Sequence, residues 1–139
     1  MKKDEIQALL HSTETYRVEK TISTGNMDKF CEAICAFAND LPDSRKKGYL
    51  LIGANDDGSL SGLRVNDDLL QKIAAIRSDG NILPLPVMTV DKVEFPEGDL
   101  LVAEVSPSLL PPVRYRGRTF VRIGPRRDFG CTNMMTILK

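Results

Sequence analysis

Tyr49-Leu-Leu-Ile52 is apolar at every position and is bounded by Gly48 and Gly53. Successive side chains of a strand point to opposite faces, so a strand of this composition needs cover on both sides. The segment therefore belongs in the interior of a sheet, with further layers on either face. Two stretches have the periodicity to form such layers. From Met27 the residues Phe30, Ile34 and Phe37 share a helical stripe, with Cys31, Ala33 and Ala38 beside it, and Pro42 predicts an end near Asn39. A second helix is predicted over Asp67 to Arg77, capped by Asn66, lined by Leu69, Leu70, Ile73 and Ile76, and closed at Gly80.

The remaining chain supplies shorter elements. Asp4 to Leu10 has a helical pattern, and Thr15 to Ile22 alternates as a strand. Ser23 to Asn26 forms a turn and helix cap. Asn55-Asp-Asp-Gly58 predicts a hairpin turn after the central strand, with Ser59 to Leu63 returning. An extended segment, Ile82 to Pro86, precedes two strands, Val87 to Phe95 and Asp99 to Val105, and a last hairpin runs from Val113 to Ile123. The order gives an α/β chain in broad class, α+β in detail: a mixed β-sheet packed with two or three helices. At 139 residues one domain over 1–139 is expected, and a fold of this size buries roughly 68–70% of its unfolded surface without needing a disulfide or metal.

Several function classes lack a basis. No apolar run approaches the ~20 residues of a membrane span, and the start, MKKDEIQALLHSTE, is no signal peptide. The three cysteines, Cys31, Cys35 and Cys131, include no CxxC pair, and His11 is the sole histidine, so no zinc site or disulfide framework assembles. Buried thiols in a reducing cytoplasm are the expectation. P-loop and dinucleotide-binding glycine patterns are absent, and no cofactor is expected.

Net charge is zero, but Pro111 to Arg127 holds six arginines and no acid. A three-residue loop around Gly117 would put Val113, Tyr115, Thr119, Val121 and Ile123 on one face of the last hairpin. Arg114, Arg116, Arg118, Phe120 and Arg122 would then occupy the other, with Arg126 and Arg127 extending the patch beyond the strand. Guanidinium groups interleaved with an aromatic suit phosphate contact and base stacking. The same face also suits a solvated sheet edge. Lys46 and Lys47, before the central strand, read either as part of this patch or as solvated lysines. Glu14 and Glu19 flank the first predicted strand, and Asp56 and Asp57 follow the central one. Carboxylates gathered at strand ends can hold a divalent metal for phosphodiester cleavage, although a spacing of five puts Glu14 and Glu19 on opposite faces of a regular strand, and an Asp-Gly turn takes Asp for backbone reasons.

The pieces occur in a recognisable order. A Glu-x4-Glu strand precedes a helix ending Cys35-Ala-Phe-Ala-Asn39. Gly48-Tyr-Leu-Leu-Ile-Gly53-Ala-Asn-Asp-Asp-Gly58, Ser61-Gly62-Leu63, Ile82-Leu-Pro84 and Tyr115-Arg-Gly-Arg-Thr-Phe-Val-Arg-Ile-Gly124 follow. This series resembles the Schlafen/AlbA-like domain, over roughly 14–127. The resemblance implies a mixed α/β fold and a nucleic-acid-binding role, on DNA or RNA, as at the N-terminus of bacterial proteins described as transcriptional regulators. In some Schlafen members the domain cleaves structured RNA through three acids, which by motif would be Glu14, Glu19 and Asp56, with a divalent metal. Thr21 stands where that pattern has a lysine, the segment Asn39 to Gly48 is longer than usual, and 128–139 lacks the acidic helix and helix-turn-helix that follow in bacterial relatives. The tail therefore suggests a shortened version. A binding module is favoured over an enzyme. A protein-interaction domain, pairing through the last hairpin as a homodimer, is the third reading.

Overall fold

A computed structural model describes residues 3–12 and 17–122. In chain order the elements are α1 (Lys3–Leu10), β1 (Val18–Thr21), α2 (Met27–Asn39), β2 (Gly48–Ile52), α3 (Asp67–Ala74), β3 (Ile82–Leu83), β4 (Met88–Phe95), β5 (Gly98–Val105), β6 (Arg114–Tyr115) and β7 (Arg118–Thr119), with a 3-10 turn over Ala75–Arg77. Four strands form one sheet in the order β1-β2-β5-β4, and three short ones form a second in the order β3-β6-β7. The mixed sheets with three helices make an α+β fold. No helix among the described residues is long and apolar enough to cross a membrane.

The central run behaves as its composition requires. β2 pairs in parallel with β1 and antiparallel with β5, so α2 is the crossover that a parallel pair needs. Leu50 and Ile52 pack with α2 on one face, and Leu51 packs with Ile6 and Leu10 of α1 on the other. β5 divides the same way, with Leu101, Ala103 and Val105 toward α2 and Leu100 and Val102 toward α1. Burying each such side chain is worth about 1.5–3 kcal/mol. The hairpin expected from Asn55-Asp-Asp-Gly58 shrinks to one bridge between Ala54 and Leu60. Both edges of β2 are already occupied, so the returning segment has no strand to join and leaves the sheet.

α2 is buried along most of its length, including Phe30, Cys31 and every residue from Ala33 to Ala38. Its N-terminus is fixed by Asn26, whose Oδ1 accepts from the Lys29 N–H at 3.1 Å. The helix contacts β2 and β5 of the large sheet and β6 of the small one, so it is an inner layer between the two. Close approach explains Gly48: a Cβ there would stand 2.3 Å from the Phe37 ring.

Asp99 fastens the loop before α3 to β5. Its carboxylate accepts from the Val65 N–H at 2.9 Å and from Arg64 at 3.1 Å. The Val65 N–H, against the opposing effect of burial, and then Arg64 hold the carboxyl below the usual carboxylate range. A depressed folded value contributes stability that is fully present above the unfolded value, about 3.9, and is lost as pH falls through the folded one. Asp99→Asn should therefore lower stability at neutral pH and shallow the decline of stability below about pH 4. Urea midpoints measured from pH 7 to pH 3 check this, and an unchanged acid limb would refute it.

Candidate functional site

The stretch that carries the arginines is built onto α2. Asp28, Cys31, Cys35 and Asn39 recur at helical spacing, and this stripe meets the β6–β7 hairpin. At one end the Tyr115 hydroxyl donates to Asp28 Oδ1 at 2.5 Å. In the middle the Cys35 thiol donates to the Val113 carbonyl at 3.2 Å. At the other end Asn39 donates to the Val113 carbonyl at 2.9 Å and the Phe120 carbonyl at 2.8 Å, and accepts from the Val113 N–H at 2.6 Å. One side chain thereby satisfies backbone groups on both arms of the hairpin. Burial pushes the Cys31 and Cys35 thiols up to about 11. They are therefore protonated packing groups at neutral pH. Burial, then the bond to Asp28, holds the Tyr115 hydroxyl above its ordinary range as well.

The turn differs from the expected three-residue loop. Tyr115 pairs with Arg118 and Arg114 with Thr119, leaving the two-residue turn Arg116-Gly117 with φ of 50° and 80°. Positive φ at both central positions is the condition for a tight hairpin turn that follows the strand twist. The consequence is a reassignment of faces. Arg114, Arg116 and Arg118 are exposed, as the sequence suggested, whereas Phe120 and Arg122 are buried. Phe120 joins the core and lies 6.3 Å from the Tyr115 ring. It is a packing residue without an exposed face on which a base could stack.

Arg122 turns inward to the edge strand β1. Its guanidinium meets Glu19 Oε1 at 2.8 Å and the Val18 carbonyl at 3.0 Å, and lies 5.4 Å from the Phe37 ring. Lys29 adds a longer contact to Glu19 at 3.7 Å. Both members of the short pair are 3% exposed. Glu19 is thus committed to a buried ion pair. Asp56 is exposed in the turn after Ala54, where its carbonyl accepts from Lys20 at 3.4 Å. Its neighbour Asp57 accepts from the Ser59 N–H and hydroxyl, the backbone role expected of a turn aspartate. Glu14, Arg126 and Arg127 lie outside the described residues. Among the described residues no group of three acids, cysteines or histidines could hold a metal ion.

The basic residues fall in several separate places. Arg114 and Arg116 line a cleft of about 640 Å³ with Gly80, Asn81, Leu83, Pro84, Pro112 and Gly117. The Arg116 guanidinium lies 5.4 Å from the Tyr115 ring. Arg118 lies on the α2 side, where its charge and that of Lys29 ease Glu32, whose carboxyl burial and Asp28 push up. Lys46 and Lys47 belong elsewhere. Lys46 lines a narrow crevice with Arg17 and Arg122, and Lys47 pairs with Glu104 at 3.4 Å. Sequence reading missed Arg17 and the whole α2 stripe. The spacing of Asp28, Cys31, Cys35 and Asn39 was the available signal, obscured because cysteine and alanine read as filling beside an apolar stripe.

Comparison with known proteins places this geometry. The Schlafen, AlbA_2 family model matches residues 14–128. No curated protein matches. Among solved structures, the chain is similar to the solution NMR structure of the N-terminal domain of a RecG-related protein from Nitrosomonas europaea. The TM-score is 0.57 at 22% identity, over 98% of this chain and 91% of the other. That likeness bears on the fold, and the family match covers the elements described above from β1 to β7. The chain belongs to the Schlafen, AlbA_2 family.

Proposed function

We propose that the chain is a nucleic-acid-binding module that engages phosphates through Arg114, Arg116 and Arg118. The observation that carries this reading is the exposure of three arginines on one tight hairpin whose backbone is fastened at several points to a buried helix. Guanidinium groups match phosphate oxygens in charge and geometry, and a rigid platform keeps the entropy lost on binding small. Membership of the Schlafen, AlbA_2 family supports the reading. So does the neighbour's name, which relates that protein to the ATP-dependent DNA helicase RecG. A role in a transcriptional-regulator-like protein is the finer form of the proposal. Glu19 takes no part in this binding, since its carboxylate is held by Arg122 at 2.8 Å.

Fluorescence anisotropy against duplex DNA, single-stranded DNA and a hairpin RNA tests it. Binding should weaken as salt rises from roughly 50 to 200 mM, because each neutralised phosphate releases counterions. The variant Arg114→Ala/Arg116→Ala/Arg118→Ala should lose at least about tenfold in affinity, and its log–log salt slope should fall by about 2–3. Unchanged affinity and slope would make the hairpin a solvated edge.

A further inference from the structure

We infer, resting on the nucleic-acid reading above, that the cleft beside Arg114 and Arg116 takes an unpaired nucleotide, so that the domain prefers single strands to duplex. The lining of the cleft is chemically mixed, with a basic part and an apolar part side by side. Arg114 and Arg116 form the basic one, and Leu83, Pro84 and Pro112 the apolar one. The pairing of β3 with β6 sets Leu83 directly opposite Arg114, and cross-strand partners project to the same face of a sheet. Leu83 is 55% exposed, an apolar side chain standing in water next to a guanidinium. A volume of about 640 Å³ falls within the about 300–1,000 Å³ typical of small-ligand sites. The rim at Gly80 and Gly117 is open, since a Cβ at either would meet nothing within 4 Å.

A phosphate-binding face explains only half of this. Duplex backbone presents charged oxygens and sugars and keeps its base faces stacked inside the helix, so it gives the apolar residues little to bury. An unpaired nucleotide presents both parts at once: an aromatic face for Leu83, Pro84 and Pro112, and a phosphate for the arginines. Asn81, which lines the same cleft, adds an amide with both donor and acceptor groups suited to a base edge. Apolar contact with a base face is non-directional and does not read the base edges, so little sequence preference is expected from it. The chemistry is common to DNA and RNA single strands.

The experiment compares labelled oligomers of about 12 nucleotides, within the range of single-strand site sizes: a thymidine strand, a uridine strand, the same strand with abasic sugars, and a duplex. The unpaired strands should bind several-fold more tightly than the abasic strand, since only they bring a base face to cover Leu83, Pro84 and Pro112. They should also bind more tightly than the duplex. The ratio of thymidine to uridine affinity assigns the source as DNA or RNA. Leu83→Ala should weaken the base-containing strands several-fold, through the apolar contact that is lost, and leave the abasic strand unchanged, which also shows that the variant is folded. Equal affinity for abasic and base-containing strands, or tighter binding to duplex, overturns the inference while leaving the arginine site as a phosphate contact. Failure to bind any of the four overturns the nucleic-acid reading itself.

Discussion

Arg122→Ala should destabilise the protein by about 3–5 kcal/mol, the usual cost of breaking a buried ion pair from one side. The guanidinium is within 2.8 Å of Glu19 and both groups are 3% exposed, so its removal leaves a carboxylate in the interior. The remaining cation, Lys29, is 3.7 Å away and 44% exposed, and charge at that distance near water compensates weakly. Against a total stability of typically 5–15 kcal/mol the loss is large. Urea unfolding should show a lower midpoint with unchanged slope. Replacing both partners, as Glu19→Leu/Arg122→Leu, should recover most of it, because no buried charge is then left behind. The same measurement separates two roles for Arg122. A residue that contacts nucleic acid would lose affinity on substitution and keep its stability. A loss of stability below about 0.5 kcal/mol, the range of ordinary surface changes, would show that the pair is not structurally important.

Asn39→Ala should cost about 2–4 kcal/mol, from the loss of three side-chain hydrogen bonds to hairpin backbone groups. The side chain serves the Val113 N–H, the Val113 carbonyl and the Phe120 carbonyl. The Val113 carbonyl keeps a second donor, the Cys35 thiol. Asn39→Asp preserves the acceptor for the Val113 N–H but turns a carboxylate toward two carbonyls. It should be no better than alanine. The urea midpoint reads the loss, and wild-type stability in Asn39→Ala would mean that the hairpin is held by packing alone. The position is also the natural end of α2, where Asp40 takes the left-handed φ of 44°. A helix terminus leaves the chain free to turn its last side chain sideways onto a neighbouring element.

Much of the large sheet was legible because its rules are local. The apolar run at β2, the stripe of α2 and the cap at Asn66 each follow from a few adjacent residues. The small sheet and the site were harder to read, for a definite reason. The faces of the last hairpin depend on whether its turn has two residues or three, and Arg116 tolerates the positive φ that the shorter turn requires. That choice sent Phe120 and Arg122 inward. The engagement of Arg122 with Glu19 joins positions at opposite ends of the chain, and no local pattern distinguishes that arginine from Arg114 or Arg118. Glu19 looked like a candidate for chemistry for the same reason: a carboxylate on a strand reveals nothing of its partner. The separation of Lys46 and Lys47 from the hairpin arginines is likewise a matter of topology, since the order β1-β2-β5-β4 could not be derived from strand positions alone.

The distance along the chain between Glu19 and Arg122, 103 positions, imposes a schedule on folding. A chain made from its N-terminus has β1, α2 and β2 in hand long before the guanidinium that neutralises the edge strand exists. The clasp on Asn39 closes over 74 and 81 positions, so it too is a late event. Contacts of such long range slow folding, because the closure of the intervening loop precedes any gain from the contact. Until residues 113–122 arrive, α2 has one of its two faces uncovered and β1 carries an acid that belongs in water. The half-made chain is therefore a sheet with an open side, the form most prone to pairing with the wrong neighbour. Among the described elements, the last to arrive are the two short strands β6 and β7, which close the uncovered side of α2.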